Sequence, residues 1–410
     1  MELTDDLIAQ AKSQNWPDGM ARRVAAVVTP WEIDNWLGPN ARPRHELERE
    51  LDARERTMNG PFHVRELNVR DLPAFSELWA HAPEALGEWS VTVERSPNPI
   101  AQFRLHDNCC ITVLEERGQI HACTAWSRRP VLIGGKPTLI HVAHSLRVHE
   151  AKRGARLADL VRRFPPTAMS AIPTIAQYMY VRTGNDGVLG FLSTVANQVF
   201  GAVGAAGVQT IVTQFPAREF SGDVSGVREA KREDGEACAA LINRTHGAFD
   251  LFYPYTGESL ARMLSQGLPD EAPTDNPYWP HVYGWRDYWV LEDAGKIVAC
   301  GGLWDRGRDM RETWRSKSGE THEFSATNLL DWGYAEGRED AMAKLIGFSI
   351  GETHKLGRTA HVAPLDRLPK LVEATAHFEP RTDGRTFEWT PYLPTTPKVI
   401  PEPYTDLRYW

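Results

Sequence analysis

Residues 146–161 read LRVHEAKRGARLADLV. An alternating apolar run gives way to a short basic loop, and apolar positions return at helical spacing through Leu157, Leu160 and Val161, with Phe164 beyond. This is the outline of a strand, a turn and a helix. The segment TLIHVAHSLRV (138–148) supplies the strand, and GARLADLVRRF supplies a helix with small residues Gly154, Ala155 and Ala158 in its first turn. A helix N-terminus presents unpaired N–H groups and the positive end of a dipole, and small residues let an anion come close to them. Lys152, Arg153, Arg156, Arg162 and Arg163 concentrate positive charge here, in a chain whose net charge is −8. The place therefore has what is needed to hold a pyrophosphate.

The rest of the chain narrows the class. At 410 residues it is long enough for two or three domains. The acidic balance disfavours an extended nucleic-acid partner, which would need a broad basic surface. Five cysteines with no CxxC pair and no Cys/His cluster at ligand spacing point to reduced thiols, with neither a disulfide framework nor a metal centre. The N-terminus MELTDDLIAQAKSQNW lacks a basic n-region and an apolar h-region, and no stretch approaches 18 apolar residues. A cytoplasmic protein without membrane segments is the expectation.

An internal repeat organises the chain. VLEERGQIHACTAW (113–126) and VLEDAGKIVACGGLW (290–304) align with Val113, Leu114, Glu115, Gly118, Ile120, Ala122 and Cys123 facing Val290, Leu291, Glu292, Gly295, Ile297, Ala299 and Cys300. Both predict a hairpin closed at an acidic turn with Gly. Upstream, VRELNVRDLPAFSELW (64–79) matches VREAKREDGEACAALI (227–242), each a short strand leading into a helix. Two matches in the same order imply a tandem duplication. The layout that follows is a helical extension over 1–60 including HELERELDARER (45–56), one unit over 61–222, a second over 223–390, and a Pro-rich tail over 391–410 that packs as an extended strap. Each unit orders as strand, helix, antiparallel hairpin, strand, helix, strand. The expected fold class is α+β, a mixed and mostly antiparallel sheet flanked by helices in each unit.

The first unit resembles the GNAT superfamily of acyl-CoA-dependent N-acyltransferases. That family's loop runs L-x-V-x-P-x-x-(R/Q)-G-x-G-h-(G/A), and this chain offers Leu146, Val148, Arg153, Gly154, Leu157 and Ala158 at the matching places. It departs at Glu150, in place of proline, and at Arg156, in place of the central glycine. The resemblance implies that main-chain groups along Leu146, Arg147 and Val148 pair with the pantetheine arm of an acyl-CoA, acetyl-CoA first. It implies that the N–H groups from Arg153 through Ala155 and Arg156 to Ala158 hold the pyrophosphate, and that Asn185 touches the cofactor unless it is only a helix cap. A side chain at Arg156 is sterically allowed in a helical first turn, and its guanidinium could add a charge-assisted bond. The second unit has NLLDWGYAEGREDAMAKLIGF (328–348) at the equivalent place, where Glu336, Glu339 and Asp340 would repel a pyrophosphate. It is expected to be a degenerate copy that shapes the substrate cavity or stabilises the first.

Acyl transfer to an amine needs a base, a stabilised oxyanion and a proton for the leaving thiolate. Strict alternation along 138–148 puts His144 on one face with Leu146 and Val148, which makes it the first choice for the base; a hydrogen-bonded interior histidine is the competing reading. Glu150 is the second choice, against a solvated loop carboxylate. Tyr180, on QYMYVR (177–182), is the candidate acid, against an aromatic that packs a sheet face. NPYWPHVYGWRDYW (276–289) with DLFYPYTGESL (250–260) could wall a site for a cationic amine, pack the core, or form the contact of a homodimer. GLWDRGRDMRETWR (302–315), with Arg308, Asp309, Arg311 and Glu312, is expected to be a salt-bridged surface loop.

The expected activity is N-acyl transfer, acetyl from acetyl-CoA to a small-molecule amine. The alternative is a GNAT-fold protein that has lost acyl transfer and senses a CoA thioester or runs hydrolysis or decarboxylation between the units. The acidic second loop predicts one acyl-CoA per chain. Calorimetric titration showing two equivalent sites, or binding lost on Arg338→Ala but not on Arg153→Ala, would refute it.

Overall fold

A computed structural model describes residues 8, 9, 12, 16, 18–27, 43–57, 63–106, 108–153, 176–182, 184–188, 205–265, 281–391 and 403–409, with the backbone path alone given for 176–180, 205–211 and 382–391 among others. Helices α1 (Asp18–Val27) and α2 (Arg44–Thr57) occupy the N-terminal extension and bury Ala21, Val24, Leu47 and Leu51 against the first half. The first half then runs β1 (His63–Glu66), α3 (Leu72–Ala80), β2 (Glu84–Leu86), β3 (Trp89–Arg95), β4 (Cys109–Glu116), β5 (Gln119–Ile133), β6 (Lys136–Val148), β7 (Ala176–Arg182) and β8 (Ala205–Pro216). The second runs β9 (Val227–Glu229), α4 (Gly235–His246), α5 (Gly257–Leu264), β10 (Tyr288–Asp293), β11 (Lys296–Trp304), β12 (Met310–Ser316), β13 (Thr321–Phe324), β14 (Ala326–Tyr334), α6 (Glu339–Lys355), β15 (Ala360–Ala363), α7 (Pro369–Thr375) and β16 (Arg381–Pro391).

The sequence repeat reappears in atomic detail. β4 turns into β5 through Arg117 and Gly118 at φ 54° and 84°, and β10 turns into β11 through Ala294 and Gly295 at φ 49° and 74°. Positive φ at both central residues is the type I′ geometry, whose twist matches that of the strands it joins. Arg65 on β1 bridges Asp71 at 2.5 Å and Glu115 at 3.0 Å; Arg228 on β9 bridges Asp234 at 2.7 Å and Glu292 at 3.0 Å. Each aspartate also accepts a backbone N–H, from Asn68 and from Lys231, at 2.8 Å in both cases. One guanidinium thus ties strand, helix entry and hairpin together in each half.

The main sheet has twelve strands in the order β1-β4-β5-β6-β7-β16-β8-β15-β14-β11-β10-β9, and its neighbours are antiparallel except for β6–β7 and β14–β15. The two units therefore share one continuous sheet. Each half's last strand sits beside the other half's parallel pair: β16 follows β7, with Arg182 opposite Thr386, and β8 follows β15, with Ala360 opposite Pro216. A second sheet, β13-β12-β3-β2, joins the halves again through Met310 opposite Arg95 down to Ser316 opposite Trp89. Sequence reading omitted this sheet. It also misplaced 302–315, which is no surface loop: a helical turn at Arg306–Asp309 leads into β12, and Arg306, Asp309 and Glu312 are buried. The alternation Met310, Glu312 marks the inward face, and Glu312 is tolerated there because Arg182, Arg306 and Trp314 satisfy it.

The strap at 403–409 is buried along its length. Arg408 pairs with Asp331 and with Asp406, and Asp406 pairs with Arg129. Tyr255 and Tyr283 donate to the Asp331 carboxylate at 2.6 and 3.1 Å, and Asn328 donates to Leu407 O at 3.3 Å. The aromatic segments 250–260 and 281–289 thus turn Tyr255, Tyr283 and Tyr288 into the core around one buried carboxylate, not outward as a wall; residues 276–280 lie outside the described ones. Among the described residues no helix is long and apolar enough to cross a membrane. Removing one partner of a buried ion pair strands the other. Arg408→Met is therefore expected to lower unfolding free energy by about 3 kcal/mol, read from denaturant midpoints, and an Asp331→Leu/Arg408→Met double variant to lose less than the two single losses added. Strict additivity would refute the coupling.

Candidate functional site

One inserted residue shapes the site. On β6, Arg147 pairs with Cys123 and His144 with Ala125, so Ser145 and Leu146 together oppose Thr124. Ser145 has φ 58°, and this β-bulge reverses the alternation of side chains beyond it. His144 consequently shares a face with Arg147, toward α3, and stacks on Phe103 at 5.8 Å, while Val148 packs with Leu114 and Ala122 on the other side. This corrects the expectation that His144 and Val148 share a face. Just before the bulge β6 leaves β7: the two are paired as parallel neighbours only from Ile140–Ala176 to Ala143–Met179. β7 goes on to pair with β16, so among the described residues β6 from His144 to Val148 has no strand partner on that side.

The opening leads to a cavity of ≈ 80 Å³, with Ser145, Leu146 and Arg147 on one wall and Val181, Arg182 and Asn185 on the other. The small sheet, the turn at Arg306 and the tail's Tyr409 close it. Among the described residues four guanidiniums line it, those of Arg95, Arg147, Arg182 and Arg306. Two carboxylates answer them. Glu84 pairs with Arg147 and lies 3.6 Å from Arg182, while Glu312 pairs with Arg182 at 2.6 Å and with Arg306. Burial would raise both carboxyls, but the arginines outweigh it and hold them below the usual carboxylate range.

The residues singled out from sequence fall into four groups. Leu146, Arg147, Asn185 and the backbone to Val148 are at the opening, and Asn185 also caps the following turn by accepting from Val188 N–H at 3.2 Å. Arg153 and Glu150 lie on the exposed turn beyond, with Arg153 donating to Pro83 O and Glu150 N–H donating to His81 O at 3.0 Å. Gly154, Ala155, Arg156, Leu157 and Ala158 lie outside the described residues, and Tyr180 is described as backbone only, paired with Glu388. His144 is buried; Nε2 faces Ser127 Oγ at 3.0 Å and Nδ1 faces Ser145 Oγ at 3.2 Å. Burial, with Arg95 adding to it, lowers its pKa to about 3. Sequence reading missed Arg95, Arg182, Arg306, Glu84 and Glu312. A signal existed for Arg95: Val91, Val93 and Arg95 alternate along one inward face of β3.

The second half repeats the bulge but closes the opening. Gly301 there opposes Asp331 and Trp332, and Asp331 has φ 49° at the position of Ser145. Gly333 stands where Arg147 does, and a Cβ on it would lie 2.5 Å from the backbone of Leu241 in α4. Gly302 matches Ala125, and a Cβ there would meet the Tyr283 hydroxyl at 1.8 Å. The space that holds arginines in the first half is thus filled by helix backbone, tyrosines and the tail. Arg338, on the second loop, is engaged by Asp293 and Asp340. Among the described residues no three His, Cys, Asp or Glu side chains gather as metal ligands.

Two mixed sheets fused through exchanged strands, each with a parallel pair that splits at a bulge, make this a tandem GNAT fold. No protein-family model matches the chain, and no curated protein matches it. Solved structures do: Saccharomyces cerevisiae N-myristoyltransferase with bound myristoyl-CoA aligns over 86% of this chain and 88% of its own at 13% identity with a TM-score of 0.56. Another structure of that enzyme with bound myristoyl-CoA aligns over 82% and 81% at 12% identity, TM-score 0.55. A GCN5-related N-acetyltransferase from Sphaerobacter thermophilus aligns over 86% and 100% at 15% identity, TM-score 0.49. At these identities the likeness to N-myristoyltransferase is one of fold.

Stability should carry the mark of the buried imidazoles. Desolvation, helped at His106 by His144, holds His106 well below the ordinary histidine value, and desolvation holds His144, His246 and His361 at about 3. The unfolded chain takes up these protons near pH 6.5 and the folded chain does not, so stability is full above that value and falls as pH drops toward 3. Each of the three histidines held at about 3 removes on the order of 2 kcal/mol by pH 5. Below about pH 4.5 the loss continues in the same direction, because Glu84, Glu312 and Asp406 have depressed folded values. Denaturant midpoints at pH 7.5 and pH 5 test this; equal midpoints would contradict it.

Proposed function

We propose that the chain is an acyl-CoA-dependent N-acyltransferase whose first half binds the thioester and passes a short acyl group, acetyl being the simplest, to the amine of a small molecule. The observation that carries this is the asymmetry between the halves. The β6–β7 opening leads into a polar cavity lined by four arginines, whereas Asp331, Tyr283 and α4 fill the equivalent space on β14. The free edge from Leu146 to Val148 suits the amide-bearing pantetheine arm, and the turn at Arg153 begins the basic stretch that suits the pyrophosphate. The cavity's charged walls favour a short acyl group over a long alkyl chain, whose burial gains come from apolar surroundings.

In the reaction the amine nitrogen bonds to the thioester carbon, the carbon–sulfur bond breaks, CoA leaves as its thiol, and a proton leaves the nitrogen. His144 is poorly set to take that proton: both ring nitrogens already face hydroxyls, and an imidazole with a pKa of about 3 holds a proton weakly at neutral pH. Glu84 and Glu312 are committed to arginines. With no uncommitted carboxylate or imidazole among the described residues that line the cavity, the amine loses its proton to water in this reading, and the rate follows the amine's own ionisation. These same facts keep a second reading open, in which the chain binds a CoA thioester without transferring it.

Acetyl-CoA at a hundredfold excess over Kd should stabilise the chain by about 2.7 kcal/mol, seen as a rise in Tm, and free thiol should appear when amines are added. kcat/KM should climb with pH and level near the pKa of the acceptor amine, with the same profile in His144→Gln. A shift in Tm without turnover across a broad amine panel selects the binding protein. No shift with any CoA thioester removes both readings.

A further inference from the structure

The cavity holds a positive charge that transfer of an uncharged acetyl group to a simple amine leaves unused. Arg147, Arg182 and Arg306 each reach Glu84 or Glu312. Arg95 reaches neither. Among the described residues its guanidinium donates only to neutral oxygens, Gln102 Oε1 at 2.5 Å and Pro99 O at 3.4 Å, and its Nε has no hydrogen-bond partner. The residue is 1% exposed. It lies 3.8 Å from the centre of the Trp79 ring, and Arg147 lies 4.3 Å from the same ring, so two cations share one indole. Burial, then Arg147 and Arg306, push Arg95 well below the ordinary guanidinium range, against a smaller upward pull from Cys123 and the more distant Glu312. A buried cation that no carboxylate among the described residues contacts, held beside like charges, is costly unless something else in the site neutralises it.

Arg95 also stands where an apolar side chain would be the default, after Val91 and Val93 on the inward face of β3, and it lines the cavity at the end of the β6–β7 opening. We propose that Arg95 is the receptor for a carboxylate carried by the substrate, so that the enzyme's reactants include a carboxylic acid at the reacting end. A carboxylate offers two acceptor oxygens to a guanidinium, the strongest kind of pairing available in such a site. It would also offset the repulsion between Arg95 and Arg147. The inference rests on the N-acyltransferase reading above. The carboxylate has two sources: the far end of a dicarboxylic acyl group, as in succinyl-CoA, or the acid group of an amino-acid acceptor.

The test uses the full chain. In one arm succinyl-CoA is compared with butyryl-CoA, by Tm and by thiol release with a fixed amine. In the other, acetyl-CoA is held constant and α-amino acids are compared with their carboxamides at a pH above both amine pKa values. A charge-assisted pair predicts a preference of roughly ten- to hundredfold in Kd or kcat/KM for the carboxylate in one arm, and the arm that shows it names the source. In Arg95→Met the ratio of carboxylate to neutral substrate should fall toward one, while Arg95→Lys keeps part of it. If Arg95→Met does not fold, the unmodified chain decides by itself. Turnover with acetyl-CoA but no preference in either arm overturns this inference and leaves the acyltransferase intact. If no CoA thioester binds at all, the acyltransferase reading fails, and glutarate against glutaramide in the Tm assay then decides: a shift with glutarate alone upholds the carboxylate site, and equal behaviour overturns it.

Discussion

β6 and β7 run as hydrogen-bonded parallel neighbours to Ala143 and Met179 and then part, and most of what surrounds them exists to make that parting tolerable. Strands that separate expose backbone groups and the inner faces of the sheet, which must be satisfied by something other than each other. The bulge at Ser145 bends β6 and turns Arg147 under α3. β7 recovers a neighbour in β16, contributed by the other end of the chain. The four-stranded sheet then roofs the gap with residues from both halves, and the tail lays Tyr409 against its floor. A cleft open enough for a ligand is thus bounded by segments distant from one another in sequence.

The two halves solve the same geometric problem with opposite charges. Each has a residue at positive φ in the same bulge, yet one presents arginines to a cavity and the other buries an aspartate among tyrosines. The difference comes down to bulk at two positions on neighbouring strands. Ala125 and Arg147 hold α3 off the sheet and keep space. Gly302 and Gly333 let Tyr283 and α4 come close and take it away. Arg408 then neutralises Asp331, so the second opening is sealed by the chain itself. The two units thus differ in that one keeps an arginine-lined cavity where the other packs tyrosines around an aspartate.

Sequence periodicity made the local elements legible. The hairpins at Arg117–Gly118 and Ala294–Gly295, the strand at 136–148 and the helix at 44–57 all stand where the pattern predicts them. The candidate site was legible only at its rim, through Leu146, Arg147 and Asn185, which line the cavity. Its interior was hidden for two physical reasons. A single inserted residue changes the parity of a strand, so alternation gave the wrong face for His144 beyond Ser145. Charged residues also read as solvated by default, so Glu312 and Arg306 were assigned to the surface although mutual pairing lets them be buried. The partners of β7, β8 and the tail lie far along the chain, and no local pattern reports them.

The exchange of β8 and β16 has a consequence for how the protein is made. β8 is complete at Pro216, but its flanking strands β15 and β16 come only after residues 360 and 381. At ordinary rates of translation a nascent chain waits on the order of ten seconds before either arrives. Through that interval the first half carries β7 and β8 without the neighbours that will cover their edges, the condition in which strands recruit wrong partners. The nascent chain is therefore a natural client for holding chaperones until its last quarter emerges. A fission of the gene between the halves would leave two products that mature only by finding each other.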